Sequence, residues 1–423
     1  MTAGSSTITS PSERALASLP DDWTRHVRET AHKLLTYCLT NDWAGYDPYD
    51  ALNSRIFQAL PFLNFKLARL ALTQANKRSP VNLRPLLQIP VTQNPKGLAI
   101  FLMALLKLSK LGVLFQPELL RGLIEKLVLL RSPGTPYWCW GYSFPWQTRT
   151  LLVPRAAPNL VCTTFVANAL LDYWMESRDP NCLAMAVSAA DYLLKELYWT
   201  ENDSVASFNY PTPQSRSQVH NANFLAAALL CRVGQASEIT RFTEPALRVA
   251  RSSARRQRTD GSWAYGESPT QQWIDNFHTG YNLCALRGIA KYCGTSEFDD
   301  VILRGFAFYR GHFFLEDGAP KYFHDRSYPF DVHSAAQSII TLNEFQDSNA
   351  ENLNLASLVF KWSMANLWDE RGYFYHQKLA FGTIRIPYMR WGQAWMLLAL
   401  ASLSEAAGRQ SPERKTPSLT ELA

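Results

Sequence analysis

The chain has 423 residues, of which 47% are hydrophobic and 18% charged, and this composition excludes a generally disordered protein. The net charge of +6 is spread along the sequence without any nucleic-acid-binding motif, so nucleic acid is not an expected partner. No apolar run is long enough to span a bilayer, so no transmembrane segment is predicted.

The N-terminal fifth of the chain is predicted to be partly helical. Residues 1–20 are expected to be a disordered tail, and they lack the features of a secretory signal, so we expect a cytoplasmic protein. Helices are predicted over Asp21–Thr40 and over residues 62–77, and the proline-rich residues 78–90 are predicted as an extended loop. Residues 21–93 together are expected to close a barrel built by the rest of the chain.

From residue 94 to residue 408, apolar helices recur at a spacing typical of helical-hairpin repeats, with the later ones about 57 residues apart. Their predicted starts lie near Pro95, Asn159, His220, His278, His333 and Arg390. Turns at Asp203, Asp260-Gly261, Asp317-Gly318 and Arg371-Gly372 keep the same period. Each turn leads into a short aromatic segment predicted as a strand: SVASFNY, SWAYG, APKYF and YFYHQ.

More amphipathic helices are predicted between these apolar ones, over residues 117–131, 181–198, 238–256, 296–313 and 350–367. A helix that is apolar on most faces belongs inside a barrel, whereas a helix with one charged face belongs outside. The N-terminal region supplies the sixth outer helix. The predicted fold is therefore an all-α (α/α)6 toroid over residues 94–408, with short β-hairpins at the N-terminal end of the inner helices and a disordered tail at 409–423.

Because all inner helices of such a barrel start at the same end, the residues near those starts are predicted to converge on one funnel. Aromatic rings there suit stacking on sugar rings, although large rings also simply fill a barrel. Arginines match carboxylates or phosphates and indicate an acidic ligand, although each could equally pair with a structural aspartate. The substrate-binding candidates are Trp138, Trp140, Trp146, Arg149, Arg155, His220, Asn221, Trp263, Tyr265, Trp273, Tyr322, Arg385, Arg390 and Trp391.

The catalytic candidates lie at the same helix starts: Asp275, His278, Tyr281, Asp331, His333 and Tyr388. A carboxylate beside an imidazole makes a general base near neutral pH, and Tyr281 could act as the opposing acid or base. Such a pair suits abstraction of the C5 proton of a uronate, whereas Asp275 and Asp331 together suit glycoside hydrolysis. An aspartate before a helix is also an ordinary N-cap, which explains both aspartates without catalysis.

The sequence predicts neither a metal nor another cofactor. The five histidines near the funnel have no HxxxH or HxH spacing and no accompanying cysteine set: His220, His278, His324, His333 and His376. A Walker loop and a GxGxxG motif after a strand are both lacking.

Six motifs resemble a family of bacterial proteins from exopolysaccharide and O-antigen gene clusters. They are YDPYDALNS (46–54), KRSPVNLRPLL (77–87), NPKGLAIF (94–101), WCWGYSFPWQ (138–147), DNFHTGYNL (275–283) and RIPYMRWGQAWM (385–396). The resemblance implies a role in making or modifying a surface polysaccharide. A looser similarity of fold and residue type connects the chain with glucuronyl C5-epimerases, polysaccharide lyases and six-hairpin glycosidases.

Together these observations predict an enzyme that epimerises or eliminates at C5 of an acidic oligosaccharide or polysaccharide, free or lipid-linked. One alternative is a glycoside hydrolase acting on the polysaccharide. The other is a non-catalytic glycan-binding or scaffold protein that contacts membrane glycosyltransferases.

Overall fold

The computed structural model describes residues 21–114, 116–149, 151–349 and 351–410, and most of them are helical. The helices are α1 Asp21–Thr40, α2 Arg55–Gln58, α3 Lys66–Arg78, α4 Pro95–Lys110, α5 Pro117–Leu129, α6 Leu160–Ser177, α7 Pro180–Tyr192, α8 His220–Ser237, α9 Thr243–Ala254, α10 Asn276–Cys293, α11 Asp299–His312, α12 Val332–Glu344, α13 Glu351–Leu367 and α14 Ala394–Gln410. The predicted tail at 1–20 lies outside the described residues, as does the predicted tail at 409–423 from residue 411 onward. Arg409 and Gln410, the first two residues of the latter, are helical and end α14.

Six helices form a closed inner ring. The helices α4, α6, α8, α10, α12 and α14 pack in this order, and α14 returns to pack against α4. Each of α5, α7, α9, α11 and α13 packs outside the inner helix that precedes it, and α1 packs outside α14. This arrangement confirms the predicted (α/α)6 toroid, with the N-terminal helix α1 as the sixth outer helix.

The burial of the helices follows their place in the ring. In α4, side chains on every face are buried, including Leu98, Phe101 and Leu105. In α9, buried and exposed positions alternate with the helical period, and Val249 and Ala250 face inward. An inner helix is covered by neighbours on both sides and by the outer layer, so it has no face left for charged residues.

Short antiparallel strands lie next to the starts of the inner helices. They are β1 Trp146–Gln147, β2 Leu152–Val153, β3 Tyr198–Asn202, β4 Val205–Phe208, β5 Lys321–Phe323, β6 Arg326–Asp331, β7 Trp368–Asp369, β8 Tyr373–Phe374, β9 Gln377–Leu379 and β10 Gly382–Ile384. Strands β10, β9, β6 and β5 form one sheet in this order, and the others form two-stranded pairs. The predicted hairpins before the inner helices are confirmed for most repeats.

The segment SWAYG, residues 262–266, was expected to be a strand and is not one in the structure. Its only strand-like contact is an isolated bridge between Gly266 and Val219. Trp263 is buried with its ring 5.8 Å from that of Phe224, and its Nε1 donates to the backbone oxygen of Ser253. The indole fills the space between an inner and an outer helix, and this packing replaces a strand pairing.

Two predicted helix starts are shifted for local reasons. Glu238, the expected start of an outer helix, has a left-handed backbone (φ 60°) and ends α8 instead. Arg390 lies in a π-helical turn, Met389–Gln393, that precedes α14. No helix among the described residues has both the length and the apolar character needed to cross a membrane.

The proline-rich loop after α3 is fixed by one buried arginine. The guanidinium of Arg84 has no exposed surface, and its Nε donates to Asp50 at 2.9 Å. Its Nη2 donates to the backbone oxygen of Asp47 at 2.7 Å. The N-terminal region is thereby attached to the mouth of the barrel, because Asp47 also pairs with Arg390 ahead of α14.

Candidate active site

Side chains cap four of the inner helices at the mouth of the ring. Asn94 accepts from the backbone N–H of Lys96, and Asn159 accepts from that of Cys162 at the start of α6. Asp275 and Asp331 do the same for His278 and His333, at 3.0 Å and 2.8 Å, at the starts of α10 and α12. A polar residue in each of these positions is thus explained by the unpaired N–H groups of a helix start.

Asp275 also holds an imidazole. Its Oδ2 accepts from the Nδ1 of His278 at 2.7 Å and from the Nε1 of Trp273 at 3.0 Å. Asp275 is buried, whereas the His278 side chain keeps 21% of its surface exposed. With the Nδ1 proton directed to the carboxylate, the lone pair lies on Nε2, for which no described residue is a partner. This pair has the arrangement of an oriented general base.

Asp331 occupies the equivalent position one repeat later and is closed off. Its oxygens accept from the backbone N–H of His333, from the Nε2 of Gln377 at 2.6 Å and from the Nε1 of Trp391 at 3.0 Å. It has no exposed surface. Burial raises the pKa of Asp331 to about 6, although these hydrogen bonds act in the opposite direction.

A second imidazole lies deeper, bonded to a phenol. The Nε2 of His333 and the hydroxyl of Tyr281 are 2.5 Å apart, and both side chains are buried. Burial, followed by the charge of Lys96, lowers the pKa of His333 well below its usual range. Burial also raises the pKa of Tyr281 well above its usual range. The pair therefore consists of a neutral imidazole that accepts a hydrogen bond from a protonated phenol.

Lys96 is a further residue of this centre, and the sequence analysis did not single it out. It lies in the first turn of α4, is 4% exposed, and its Nζ is 4.3 Å from the centre of the Phe165 ring and 5.5 Å from that of Tyr281. Burial lowers the pKa of this amine well below its usual range. A lysine within an apolar inner-helix run was the sequence signal that could have identified it.

Aromatic rings surround His278 and separate the two imidazoles. The ring of Phe277 is 4.1 Å from that of His278 and 4.6 Å from that of His333. Tyr265 is 4.7 Å from His278 and stacks on Trp273 at 4.5 Å, with 15° between the planes. These rings cover much of the His278 imidazole, so only 21% of its side-chain surface is exposed.

A groove of about 1530 Å³ lies beside the Tyr265–Trp273 stack. Residues of three segments line it, 134–149 with 151–158, 192–218 and 265–273, of which the first two include strands β1 to β4. Four predicted substrate-binding residues line it: Trp146, Arg149, Tyr265 and Trp273. The lining residues that the sequence analysis missed include Tyr137, Trp199, Tyr210 and Arg216. Trp199 and Arg216 lie on either side of a predicted turn and strand. Their positions in the sequence do not reveal that the two side chains are close together or that they face the groove.

Several predicted aromatic residues lie in the protein interior. Trp140 has no exposed surface and donates its Nε1 to the backbone oxygen of Leu127, and Trp263 is similarly enclosed. Trp391 donates to Asp331, as described above. Tyr388 is fully buried, with the Arg84 guanidinium 4.6 Å from its ring centre. Trp138 is half-buried beneath the guanidinium of Arg131.

The remaining predicted polar residues differ in their access to solvent. Arg390 is buried and forms two hydrogen bonds with Asp47, at 2.6 and 2.8 Å. His220 is buried, with its Nε2 2.9 Å from Glu267. Four further candidates also lie outside the groove. Asn221 is buried beside His278, and Tyr322 is half-buried beside Phe277. Arg155 and Arg385 are exposed. Among the described residues, no group of three or more His, Cys, Asp or Glu side chains is placed to hold a metal ion.

The sequence matches no protein-family model and no curated protein. The fold is similar to that of an unsaturated glucuronyl hydrolase specific for heparin, with a TM-score of 0.61 and 14% identity over 91% of this chain and 98% of that chain. It is also similar to cellobiose 2-epimerase from Bacillus thermoamylovorans, with a TM-score of 0.58 and 10% identity over 74% and 90% of the two chains. A GH76 alpha-mannanase from Bacteroides thetaiotaomicron has a TM-score of 0.57 and 12% identity over 74% and 85%. At these identities the likeness shows the toroid fold alone.

Proposed function

We propose that the protein is a carbohydrate-active enzyme that moves a proton at a sugar carbon, acting on an acidic glycan or its precursor. The observation that carries this proposal is the His278 imidazole, held through Nδ1 by Asp275, partly exposed, and in contact with Tyr265, whose ring lines the aromatic groove. A base of this kind is suited to removing the C5 proton of a uronate, which the neighbouring carboxyl group acidifies.

Tyr281 supplies the second proton-transfer group. Its ring centre is 6.0 Å from that of His278, and its hydroxyl remains protonated because burial raises its pKa. Removal of the C5 proton by His278 leaves the charge on the uronate carboxyl group. For epimerisation, the Tyr281 hydroxyl gives up its hydrogen bond to His333 and returns a proton to the opposite face of C5. For elimination, the same proton goes to the C4 oxygen as its bond to C4 breaks, and the unsaturated product forms.

The surroundings of Asp275 and Asp331 fit proton transfer by a histidine better than glycoside hydrolysis by a pair of carboxylates. Hydrolysis by a carboxylate pair requires both groups to face the sugar. Asp275 and Asp331 are both buried, and their oxygens are occupied by helix N–H groups and side-chain donors. The imidazole of His278, in contrast, keeps 21% of its side-chain surface exposed.

We further propose that the enzyme acts in bacterial surface-polysaccharide biosynthesis. This role is suggested by the six sequence motifs, which resemble proteins of exopolysaccharide and O-antigen gene clusters. The fold is compatible with it, since sugar epimerases and glycosidases share the toroid.

The test is hydrogen exchange at C5 in deuterated water, measured by mass spectrometry and NMR on uronate oligosaccharides. Wild-type protein should introduce deuterium at C5 of intact chains if it epimerises, or should form an unsaturated end absorbing in the ultraviolet if it eliminates. His278→Gln should reduce the rate by about 10²-fold or more, because the base is removed. His312→Gln is the matched control, since this exposed histidine lies at the end of the outer helix α11, and it should retain full activity.

Three results would contradict the proposal. New reducing ends with neither deuterium at C5 nor an unsaturated end would indicate a hydrolase. Full exchange activity in folded His278→Gln protein would remove His278 from the mechanism. Glycan binding without any of these products would indicate a binding or scaffold protein.

A further inference from the structure

The groove beside His278 is larger than a site for a single sugar. Its volume of about 1530 Å³ exceeds the roughly 300–1,000 Å³ of pockets that enclose one small molecule. It is partly open to solvent, and its lining includes the stacked rings of Tyr265 and Trp273, the first of which contacts His278. A ligand that fills it must therefore be an extended chain with one end near the proposed base.

Aromatic residues from three separate segments of the chain line the groove. Trp146 lies in strand β1, Trp199 lies in strand β3, and the Tyr265–Trp273 stack belongs to the segment before α10. The Nε1 of Trp199 is buried without a hydrogen-bond partner, and the guanidinium of Arg216 lies 4.1 Å from the centre of its ring. Rings distributed in this way along a groove offer successive flat apolar faces, which suit the C–H faces of successive sugar units.

Some charged side chains of the groove have a charged partner, and others have none among the described residues. Glu267 is paired with His220 and lies 3.4 Å from Arg256, and the charge of Glu196 contributes, after burial, to raising the pKa of Tyr137. Arg149 and Arg216 are exposed, and neither has an ion-pair partner among the described residues. Free guanidinium groups in a groove are suited to paired hydrogen bonds with carboxylates.

We propose that this groove is a multi-subsite binding site for an acidic oligosaccharide, with Arg149 and Arg216 as the residues that select its carboxylates. The chain would lie across Trp199 and Trp146 and place one sugar unit beside His278. The choice of a glycan as ligand rests on the proposed function, whereas binding in the groove does not depend on the chemistry of His278. The substrate is thereby a chain of several sugar units rather than a monosaccharide.

The test is calorimetric binding of a panel of uronate oligosaccharides of one to six units, in several linkages, with neutral oligosaccharides of equal length. Affinity should increase with chain length and should be confined to acidic chains. Arg149→Ala, Arg216→Ala and Trp199→Ala should each weaken binding about tenfold or more, because each removes a contact to a charged or stacked unit.

The chain offers a matched control at the opposite end of the barrel. Near the C-terminal end of α6, the guanidinium of Arg178 lies 5.3 Å from the Trp174 ring centre, in an arrangement like that of Arg216 and Trp199. Arg178→Ala and Trp174→Ala should leave binding unchanged. Equal loss in the control pair would show that the effect is not local to the groove.

The proposal is overturned if no member of the panel binds, if monosaccharides bind as tightly as longer chains, or if neutral chains bind equally well. It fails separately from the proposed function. Folded His278→Gln protein should bind the chains normally while losing C5 exchange. Active groove variants with unchanged affinity would therefore remove the groove from binding without removing His278 from catalysis.

Discussion

Two aspartates at equivalent helix starts have different chemical roles because their neighbours differ. Asp275 and Asp331 each accept a backbone N–H from a histidine. The second oxygen of Asp275 orients an exposed imidazole, whereas that of Asp331 is bonded by Gln377 and Trp391. In the sequence, both positions show an aspartate shortly before a histidine, three residues apart at Asp275 and two at Asp331. Only the side chains brought by other repeats distinguish an oriented base from a buried cap.

The buried carboxyl of Asp331 is expected to make stability depend on pH. Its pKa of about 6 lies above the ordinary value of 3.8, so the folded state holds the proton more tightly than the unfolded state. Its contribution is therefore full below pH 4 and is lost as the pH rises to about 6, by on the order of 3 kcal/mol. Burial also raises the pKa of Asp50, to about 7, so its contribution to stability is likewise lost as the pH rises.

In Asp331→Asn protein, the free energy of unfolding should decrease less as the pH rises, because the amide cannot ionise. The measurement is the free energy of unfolding in urea at intervals between pH 4 and pH 7. Asp369→Asn provides the contrast, since the hydrogen bond from Arg371 lowers the pKa of Asp369 and its contribution is lost only below pH 4. An unchanged slope in Asp331→Asn protein would show that this carboxyl does not titrate in that range.

At the scale of the element, the inner-helix start is a structural unit that one repeat has adapted for chemistry. Asn159 and Asp275 cap α6 and α10 in the same geometry, each with a 3.0 Å bond to a backbone N–H. Asn159 has no imidazole beside it, so it shows what a cap contributes without catalysis. Comparison of the two positions separates stability from activity.

Asp275→Asn should keep the cap and lose the charge that orients His278, because asparagine caps helices about as well as aspartate. We expect little change in stability and roughly a hundredfold slower C5 exchange. Asn159→Ala should cost about 1 kcal/mol in the free energy of unfolding without slowing exchange. Thermal unfolding and exchange rates measured on both variants decide this, and the opposite pattern would assign Asp275 a capping role only.

At the scale of the whole molecule, the ring is closed by an element from the far end of the sequence. Helix α1 packs outside α14, so the sixth hairpin joins the first and last described helices of the chain. Leu34 of α1 has no exposed surface and belongs to the same apolar core as Leu170 of the inner helix α6. The N-terminal helix is therefore part of the toroid and not an appendage.

Leu34→Ala should destabilise the protein by about 2–5 kcal/mol, as much as Leu170→Ala, since both remove buried side chains from one core. Urea unfolding followed by circular dichroism gives the two values. A loss below about 1 kcal/mol for Leu34→Ala alone, or a separate early transition for α1, would show that the N-terminal helix is not needed to close the ring.

The sequence by itself determined the architecture, because the features that specify it are local and repeated. The period of the apolar helices, their contrast with the amphipathic ones and the polar residue at starts such as Asn159 and Asp275 are properties of short segments. They lead to the ring and to its mouth without any knowledge of distant contacts.

Only the tertiary structure decided which residues at that mouth are open and which are closed. Arg390 is neutralised by Asp47, which is more than 300 positions away in the chain, while His278 remains exposed. Lys96 lies beside Tyr281 and Arg216 beside Trp199, and these neighbours too come from other parts of the chain. The physical reason is that accessibility and hydrogen-bond saturation depend on partners from other repeats, and no local pattern encodes those partners.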